Sequence, residues 1–221
     1  MMTSDKENTE PMENTTEKQP DEQFGVMLRG HIKISDPDSG EVFVDKPNAI
    51  HYENFSEALA LSVANKDTGF ITEMHFGNGG TSVDTTGIIT YLPPNNTGTN
   101  SDLYNPTYYK IVDDNNSLNV DPTRNFMEIR HIPGTKYTDI LITCLLDYGE
   151  PAVGQTAFDN ATDLNGNFVF DELGLKSYIG ANTQGQGKLL THVIFHPVQK
   201  SLNRLIQIEY TVRVQTLTNL T

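Results

Sequence analysis

A period-two alternation of apolar and polar residues runs through most of this chain and limits what it can fold into. It is cleanest in residues 205–215, where the apolar positions are Ile206, Ile208, Tyr210, Val212 and Val214. Residues 26–35 show the same pattern. Because successive side chains of a β-strand point to opposite faces, this period predicts strands that are each buried on one face.

Further segments have the character of strands, and one has that of a helix. The additional predicted strands cover residues 42–44, 70–76, 88–92, 108–112, 126–132, 137–146, 168–175 and 189–195. Residues 137–146 are apolar at both parities, which predicts a central strand covered on both faces. The predicted helix covers residues 53–65, with Asn54 or Ser56 as its cap.

This order of elements indicates the fold class. About nine strands and one helix, joined mainly by turns and loops, are typical of a mainly β protein. We therefore predict an antiparallel β-sandwich with one short helix and long loops.

Composition divides the chain into two parts. Residues 1–23 carry seven acidic and two basic residues, a net charge of −5, and their only apolar side chains are three methionines. Such a segment buries too little apolar surface to offset the entropy cost of ordering it. We predict an acidic, flexible N-terminal arm over residues 1–23, which could extend onto a neighbouring subunit, and a β-sandwich domain over residues 24–221.

Charge and cysteine content exclude several classes of protein. The net charge of −14 would repel a nucleic-acid backbone, and the basic residues form no cluster in the sequence, so we expect no nucleic-acid partner. The polar N-terminus and the lack of a long apolar run predict neither a membrane span nor a secretory leader. The single cysteine, Cys144, cannot form an intramolecular disulfide.

A search for reactive groups finds no convincing set. Cys144 lies in the most apolar segment, where a thiol is usually a core residue. His192 and His196 would lie about 13 Å apart on a strand, too far to share a metal ion. Adjacent carboxylates such as Asp171 and Glu172 should point to opposite faces of a strand. We therefore predict no catalytic residue, no cofactor site and no metal site.

Two long polar connections, residues 77–107 and 147–167, are the places where specific contacts are expected. Loops of this length in a compact domain usually serve function or bind a partner. The Gly77–Gly80 stretch lacks the lysine of a phosphate-binding loop and is expected to serve backbone geometry. The candidate partner-contact residues are Asn78, Gly79, Tyr104, Tyr108, Tyr109, Tyr148 and Phe158.

Four sequence elements together resemble a known family. They are a strand ending in G-x-G-G (Met74 to Gly80), the DELGL strand (Asp171 to Leu175), the LLTHVIFHPVQK strand (Leu189 to Lys200) and the final alternation (Leu205 to Val214). In this order they resemble virion structural proteins of contractile-tailed bacteriophages that infect marine cyanobacteria. The resemblance covers roughly residues 24–215.

The resemblance implies a non-enzymatic structural component of a tailed phage particle, in the tail, baseplate, neck or collar and fibre attachment. Its partners would be other virion proteins and further copies of the same chain, and it would be made in the bacterial cytoplasm and reside in the virion. Two alternatives stay open. One is a receptor- or glycan-binding module with exposed tyrosines as sugar platforms. The other, less favoured, is a cell-wall hydrolase with an Asp/Glu pair as acid and base.

Overall fold

The computed structural model describes residues 24–151 and 167–218. Within them the strands are β1 (Phe24–Ser35), β2 (Val42–Ile50), β3 (Ile71–Gly77), β4 (Thr81–Val83), β5 (Ile89–Tyr91), β6 (Pro106–Ile111), β7 (Phe126–His131), β8 (Tyr137–Leu146), β9 (Phe168–Ser177), β10 (Leu189–Lys200) and β11 (Ile206–Thr218). The helix α1 covers Tyr52–Val63.

Nine of these strands form one antiparallel sheet. Their order across the sheet is β6-β3-β9-β10-β2-β1-β11-β8-β7, and β4 and β5 form a separate two-stranded ribbon. The chain is thus mainly β and antiparallel with one helix in its described part, which confirms the predicted class. The ribbon strand β4 was not predicted, because its three residues are too few to show a period.

Strand β2 connects the two halves of the sheet. Its earlier residues pair with β1, whereas Ala49 and Ile50 pair with β10. The hydroxyl of Tyr210 on β11 donates to Thr191 Oγ1 on β10 at 2.7 Å, although these strands are not neighbours in the sheet. The sheet therefore folds over on itself. The first half (β1, β11, β8 and β7) faces the second half (β10, β9, β3 and β6) across one core.

The core contains the residues expected from the sequence. From the alternation of residues 205–215, Ile206, Ile208, Tyr210 and Val212 are buried. From the apolar segment of residues 137–146, Ile142 and Leu146 are buried, and Ile140 packs against them partly buried. Cys144 is fully buried, and that burial raises the pKa of its thiol to about 12. The thiol is therefore a core group, as its apolar context predicts.

The prediction for β8 as a central strand was wrong. β8 lies next to the edge strand β7, and on its outer face Leu141 and Thr143 are only half-buried. The strands covered on both faces are β3 and β9 of the second half. β3 alternates polar and apolar residues, so the sequence pattern did not indicate that its polar face is covered too.

The cap of helix α1 lies earlier in the chain than expected. His51 is the N-cap, and its Nδ1 accepts a hydrogen bond from the backbone N–H of Asn54 at 3.2 Å. Neither Asn54 nor Ser56 caps the helix. His51 Nε2 lies 3.0 Å from the carbonyl oxygen of Gly98, so the same side chain also connects the helix start to a distant loop.

Three predictions lie outside the described residues: the acidic arm of residues 1–23, the contact residue Phe158, and most of the 147–167 loop. Among the residues described, none belongs to a helix that is both long and apolar enough to cross a membrane.

Candidate functional site

Strand β9 changes parity in its middle. Phe168 and Phe170 point into the core, and so do Leu173 and Leu175, although the two pairs have opposite parity. The pairing of β10 with β9 is irregular between Ile194 and Val198, opposite this point. The two intervening side chains, Asp171 and Glu172, both lie against the loop outside the second half of the sheet. The expectation that they point to opposite faces was wrong, because the alternation of β9 breaks at this irregularity in its pairing with β10.

The carboxylate of Glu172 accepts four hydrogen bonds. Its Oε1 accepts from the backbone N–H of Gly79 at 3.0 Å and of Asn105 at 2.8 Å. Its Oε2 accepts from the N–H of Tyr104 at 2.9 Å and lies 3.0 Å from His192 Nε2. A carboxylate has about four acceptor sites, so this one is saturated. Burial acts to raise the pKa of Glu172, but these donors outweigh it and hold the pKa below its usual value.

The ring of His192 has a defined tautomer. Its Nδ1 accepts the backbone N–H of Asn95 at 2.7 Å. Nδ1 therefore carries no proton, and Nε2 is the donor to Glu172. The imidazole is neutral in this arrangement and fully buried, so the Glu172–His192 contact is a charge-assisted hydrogen bond and not a pair of opposite charges.

Asp171 holds the other side of the glycine-rich loop. Its Oδ1 accepts from the N–H of Gly80 at 2.9 Å, and its Oδ2 accepts from the N–H of Thr81 at 2.9 Å and from the Thr81 hydroxyl. Burial nevertheless raises the pKa of Asp171. A Cβ on Gly80 would lie 2.9 Å from Ile194 Cγ2, so glycine permits the close approach. The donors of this loop are thus directed at carboxylates of the same chain.

Other charged groups lie on the same covered face. His75 Nε2 lies 2.8 Å from Glu73 Oε2, and burial lowers the pKa of His75 despite this contact. Lys176 donates to Asp102 at 2.7 Å. We call the set Glu73, His75, Asp171, Glu172, Lys176 and His192 the buried polar layer; every member is 3 % exposed or less. Four of its members, Asp171, Glu172, Lys176 and His192, bind residues 79–105, whereas Glu73 accepts the N–H of Gly185.

The sequence did not indicate the buried polar layer as a unit. Its members are contributed by β3, β9 and β10, which come together only through sheet pairing. The apolar context of Asp171 and Glu172 does predict that one of them hydrogen-bonds a neighbouring turn, because buried carboxylates need donors. Both do so, and the turn is the glycine-rich stretch of residues 79–81. Nothing in the sequence showed that these two segments meet.

Three of the candidate contact residues lie together around Glu172. Asn78 and Gly79 are half-buried, and Asn78 accepts a hydrogen bond from the side-chain amide of Asn105 at 2.5 Å. Tyr104 is more exposed, and its hydroxyl donates to the carbonyl of Pro93 at 2.8 Å. The backbone N–H groups of Gly79 and Tyr104 donate to Glu172 on β9 of the same chain.

The other tyrosines are distributed elsewhere. Tyr108 and Tyr109 belong to edge strand β6 and point to opposite faces: Tyr108 packs near Phe76 of the core, whereas Tyr109 stacks on His75 with 5.3 Å between ring centroids. Tyr148 is exposed, and its hydroxyl donates to Asp38 at 2.8 Å. The six candidates that lie in the described residues therefore do not form one site.

Two open grooves lie at the two edges of the nine-stranded sheet. A groove of about 620 Å³ runs beside β6 and is lined by residues that include Tyr109, Asn119, Glu150 and Gln184. An apolar groove of about 370 Å³ lies between α1 and the β7 edge, with Phe55, Leu59, Met127, Ile129 and Ile140 among its lining residues. These grooves are accessible, unlike the buried polar layer.

Comparisons with protein-family models, with curated proteins and with solved structures found no match. Residues 24–151 and 167–218 contain no group of three or more His, Cys, Asp or Glu side chains arranged to hold a metal ion.

Proposed function

We propose that this chain is a non-enzymatic structural component of a tailed phage particle, in the tail, baseplate, neck or collar and fibre attachment. It works by docking onto other virion proteins and further copies of itself. The sequence elements of β3, β9, β10 and β11 resemble those of cyanophage virion proteins. The mainly β fold suits such a role.

The observation that carries the proposal is the exposed edge strand β7. β7 pairs with β8 on one side only, and in the described residues no strand covers its other side. Ile129 on this strand is 68 % exposed and lines the apolar groove next to α1. An uncovered edge beside an apolar groove can accept a strand and an apolar side chain from a partner protein.

The buried polar layer supports docking over hydrolysis. A hydrolytic pair needs two carboxyl groups that reach the substrate. One of them must be protonated so that it can act as the general acid. Asp171 and Glu172 instead accept the N–H groups of Gly79, Gly80, Thr81, Tyr104 and Asn105. Their arrangement supports a structural role in holding residues 78–105.

A glycan-binding module is the second candidate, and the β6 groove favours it. Tyr109 presents a ring stacked on His75, and the side-chain amide of Gln184 lines the same groove. An aromatic face with an amide beside it matches the apolar faces and hydroxyls of a sugar.

The test asks whether the chain is present in phage particles and where in the particle it lies. Mass spectrometry of purified particles of the phage that encodes this chain should detect it, and a density map should place it with β7 against a neighbouring protein. Particles assembled with Ile129→Asp should contain less of the chain than particles with Val63→Asp, a matched change at an exposed helix residue outside the groove. A chain missing from the particles would overturn the proposal.

One binding assay tests the glycan-binding candidate, and one activity assay tests the hydrolase candidate. Binding on a glycan array that Tyr109→Ala abolishes would establish the glycan-binding candidate. Release of sugar from purified host cell wall, lost in Asp171→Asn but not in a matched Asp38→Asn variant, would establish the hydrolase instead.

A further inference from the structure

Four charged residues lie in one register row across the first half of the sheet. Arg29 on β1 pairs with Arg213 on β11, Arg213 pairs with Asp139 on β8, and Asp139 pairs with Arg130 on β7. The row contains three of the five arginines in a chain whose net charge is −14. Cross-strand neighbours share one face of a sheet, so these side chains project from the same surface.

Only the central pair of this row is neutralised. Arg213 binds Asp139 through two hydrogen bonds of 2.7 and 2.8 Å, and its guanidinium lies 4.0 Å from the centroid of the Tyr137 ring. Arg29 and Arg130 are exposed, and in the described part of the chain neither forms a hydrogen bond or a salt bridge. Two guanidinium groups thus flank a neutral pair.

The row forms the floor of a groove of about 730 Å³. The charged residues that line it are Arg29, Arg130, Arg213 and Asp139, and the other polar residues include His31, Asn48, Asn96 and Thr211. The imidazole of His31 is already bonded to Asp45 at 2.9 Å. Glu128 faces the same side of β7 but does not line the groove. The lining is therefore cationic, which favours an anionic segment with several carboxylates.

The chain itself carries such a segment. Seven of its first 23 residues are acidic, and Glu13, Glu17 and Asp21 recur every four residues. Carboxylates four residues apart in an extended chain are separated by about 13 Å, and Arg29 and Arg130 are three strand spacings apart, about 14 Å. The spacing of the acids thus matches that of the two unpaired arginines.

The position of Phe24, where the described chain begins, indicates that the acidic segment in the groove comes from the same molecule and not from a second copy. Phe24 is the first residue of β1, only five positions before Arg29, or about 17 Å along the strand. Glu17 is seven positions before Phe24, so the preceding chain is long enough to return to the row. Attachment to the same molecule gives the segment an effective concentration of order mM, which free copies reach only in concentrated solution.

We propose that the acidic segment of residues 10–22 binds in the groove over Arg29, Arg213, Asp139 and Arg130 of its own chain. Glu13 and Glu17 pair with the two outer arginines. The segment thereby covers the cationic surface of an otherwise acidic molecule. This inference does not rest on the proposed virion function, and it is tested on the isolated full-length chain.

The experiment uses a nitroxide on Thr15→Cys in the isotope-labelled full-length protein. Cys144 is buried and does not compete for the label. Amide signals of residues 28–30, 129–131 and 212–214 should be broadened in about 0.1 M NaCl and recover in about 1 M NaCl, because the Debye length falls from about 10 to about 3 Å. Arg29→Gln with Arg130→Gln should lower the paramagnetic rates about threefold. The matched pair Lys66→Gln with Arg124→Gln, which removes the same charge elsewhere, should leave them unchanged.

A second sample identifies the molecule that supplies the segment. It mixes isotope-labelled protein without nitroxide and unlabelled protein with nitroxide, and we expect no broadening at the groove. Broadening of equal size in this sample would show that the segment comes from a second copy, which overturns the proposal. An absence of broadening at the groove in the first sample, or an equal effect in both arginine variants, would overturn it as well.

Discussion

The Oε2 atom of Glu172 lies 3.0 Å from the Nε2 atom of His192, and neither side chain has any exposed surface. This contact joins β9 to β10, while the remaining acceptor sites of Glu172 and the Nδ1 of His192 bind the N–H groups of residues 78–105. Two side chains thus hold a long covering segment on the sheet. Removing one such acceptor leaves several buried donors unpaired, which costs far more than the loss of one exposed hydrogen bond.

Glu172→Gln should destabilise the fold. An amide in this position must direct its NH₂ group at two N–H donors, whichever way it is turned. We expect the free energy of unfolding in urea to fall by about 2–4 kcal/mol. Glu209→Gln, which changes an exposed partner of Lys33, should cost less than about 1 kcal/mol. Equal losses in the two variants would contradict the role assigned to Glu172.

Asp171→Asn should loosen the glycine-rich loop locally. An asparagine can accept from Gly80 or from Thr81 but not from both, so one buried N–H loses its acceptor. We expect the exchange of the Gly80 and Thr81 amides to become about tenfold faster, a change of about 1.4 kcal/mol in their opening free energy. The amides of β11 serve as an internal reference, and their exchange should not change. Unaltered exchange at both loop amides would show that Asp171 does not hold them.

His75 should make the stability depend on pH. Burial holds the pKa of His75 below the ordinary value of 6.5, while the unfolded chain takes up a proton near that value. The free energy of unfolding should therefore be at its full value above pH 6.5 and fall as the pH decreases from 6.5 towards the folded pKa. Urea unfolding over this range gives the slope of the unfolding free energy against pH. This slope should be shallower in His75→Gln than in the wild type, because glutamine keeps a donor to Glu73 without titrating. His131→Gln, at an exposed position on β7, should keep the wild-type slope.

Ile208→Ala should test the register of the core. Ile208 is fully buried on β11, so truncation should cost about 2–5 kcal/mol in the free energy of unfolding. Ile129→Ala, on the exposed edge strand, should change it by no more than about 0.5 kcal/mol. Thermal and urea unfolding of both variants measure the difference. An unchanged midpoint for Ile208→Ala would mean that β11 presents its other face to the core.

Local sequence patterns are enough to predict most of the strands, and the alternation of β11 is enough to predict its core face. It marks Ile206, Ile208, Tyr210 and Val212 on β11 as buried residues, and all four are buried, because the two-residue period of a strand is a local property of the chain. The helix follows from a different local pattern, the helical spacing of its apolar residues, and the burial of Cys144 follows from its apolar neighbours in sequence. These features depend only on neighbours in sequence.

The tertiary structure decided which faces are covered and which polar groups meet. The order of strands in the sheet depends on contacts between residues far apart in sequence, so β8 was predicted to be central although it lies beside an edge. Asp171 and Glu172 both face residues 78–105 at the point where the pairing of β10 with β9 is irregular, and that pairing joins segments far apart in sequence. The row of Arg29, Arg213, Asp139 and Arg130 likewise arises from register. A sequence states which groups need partners, but only the folded sheet determines which partners lie within hydrogen-bonding distance.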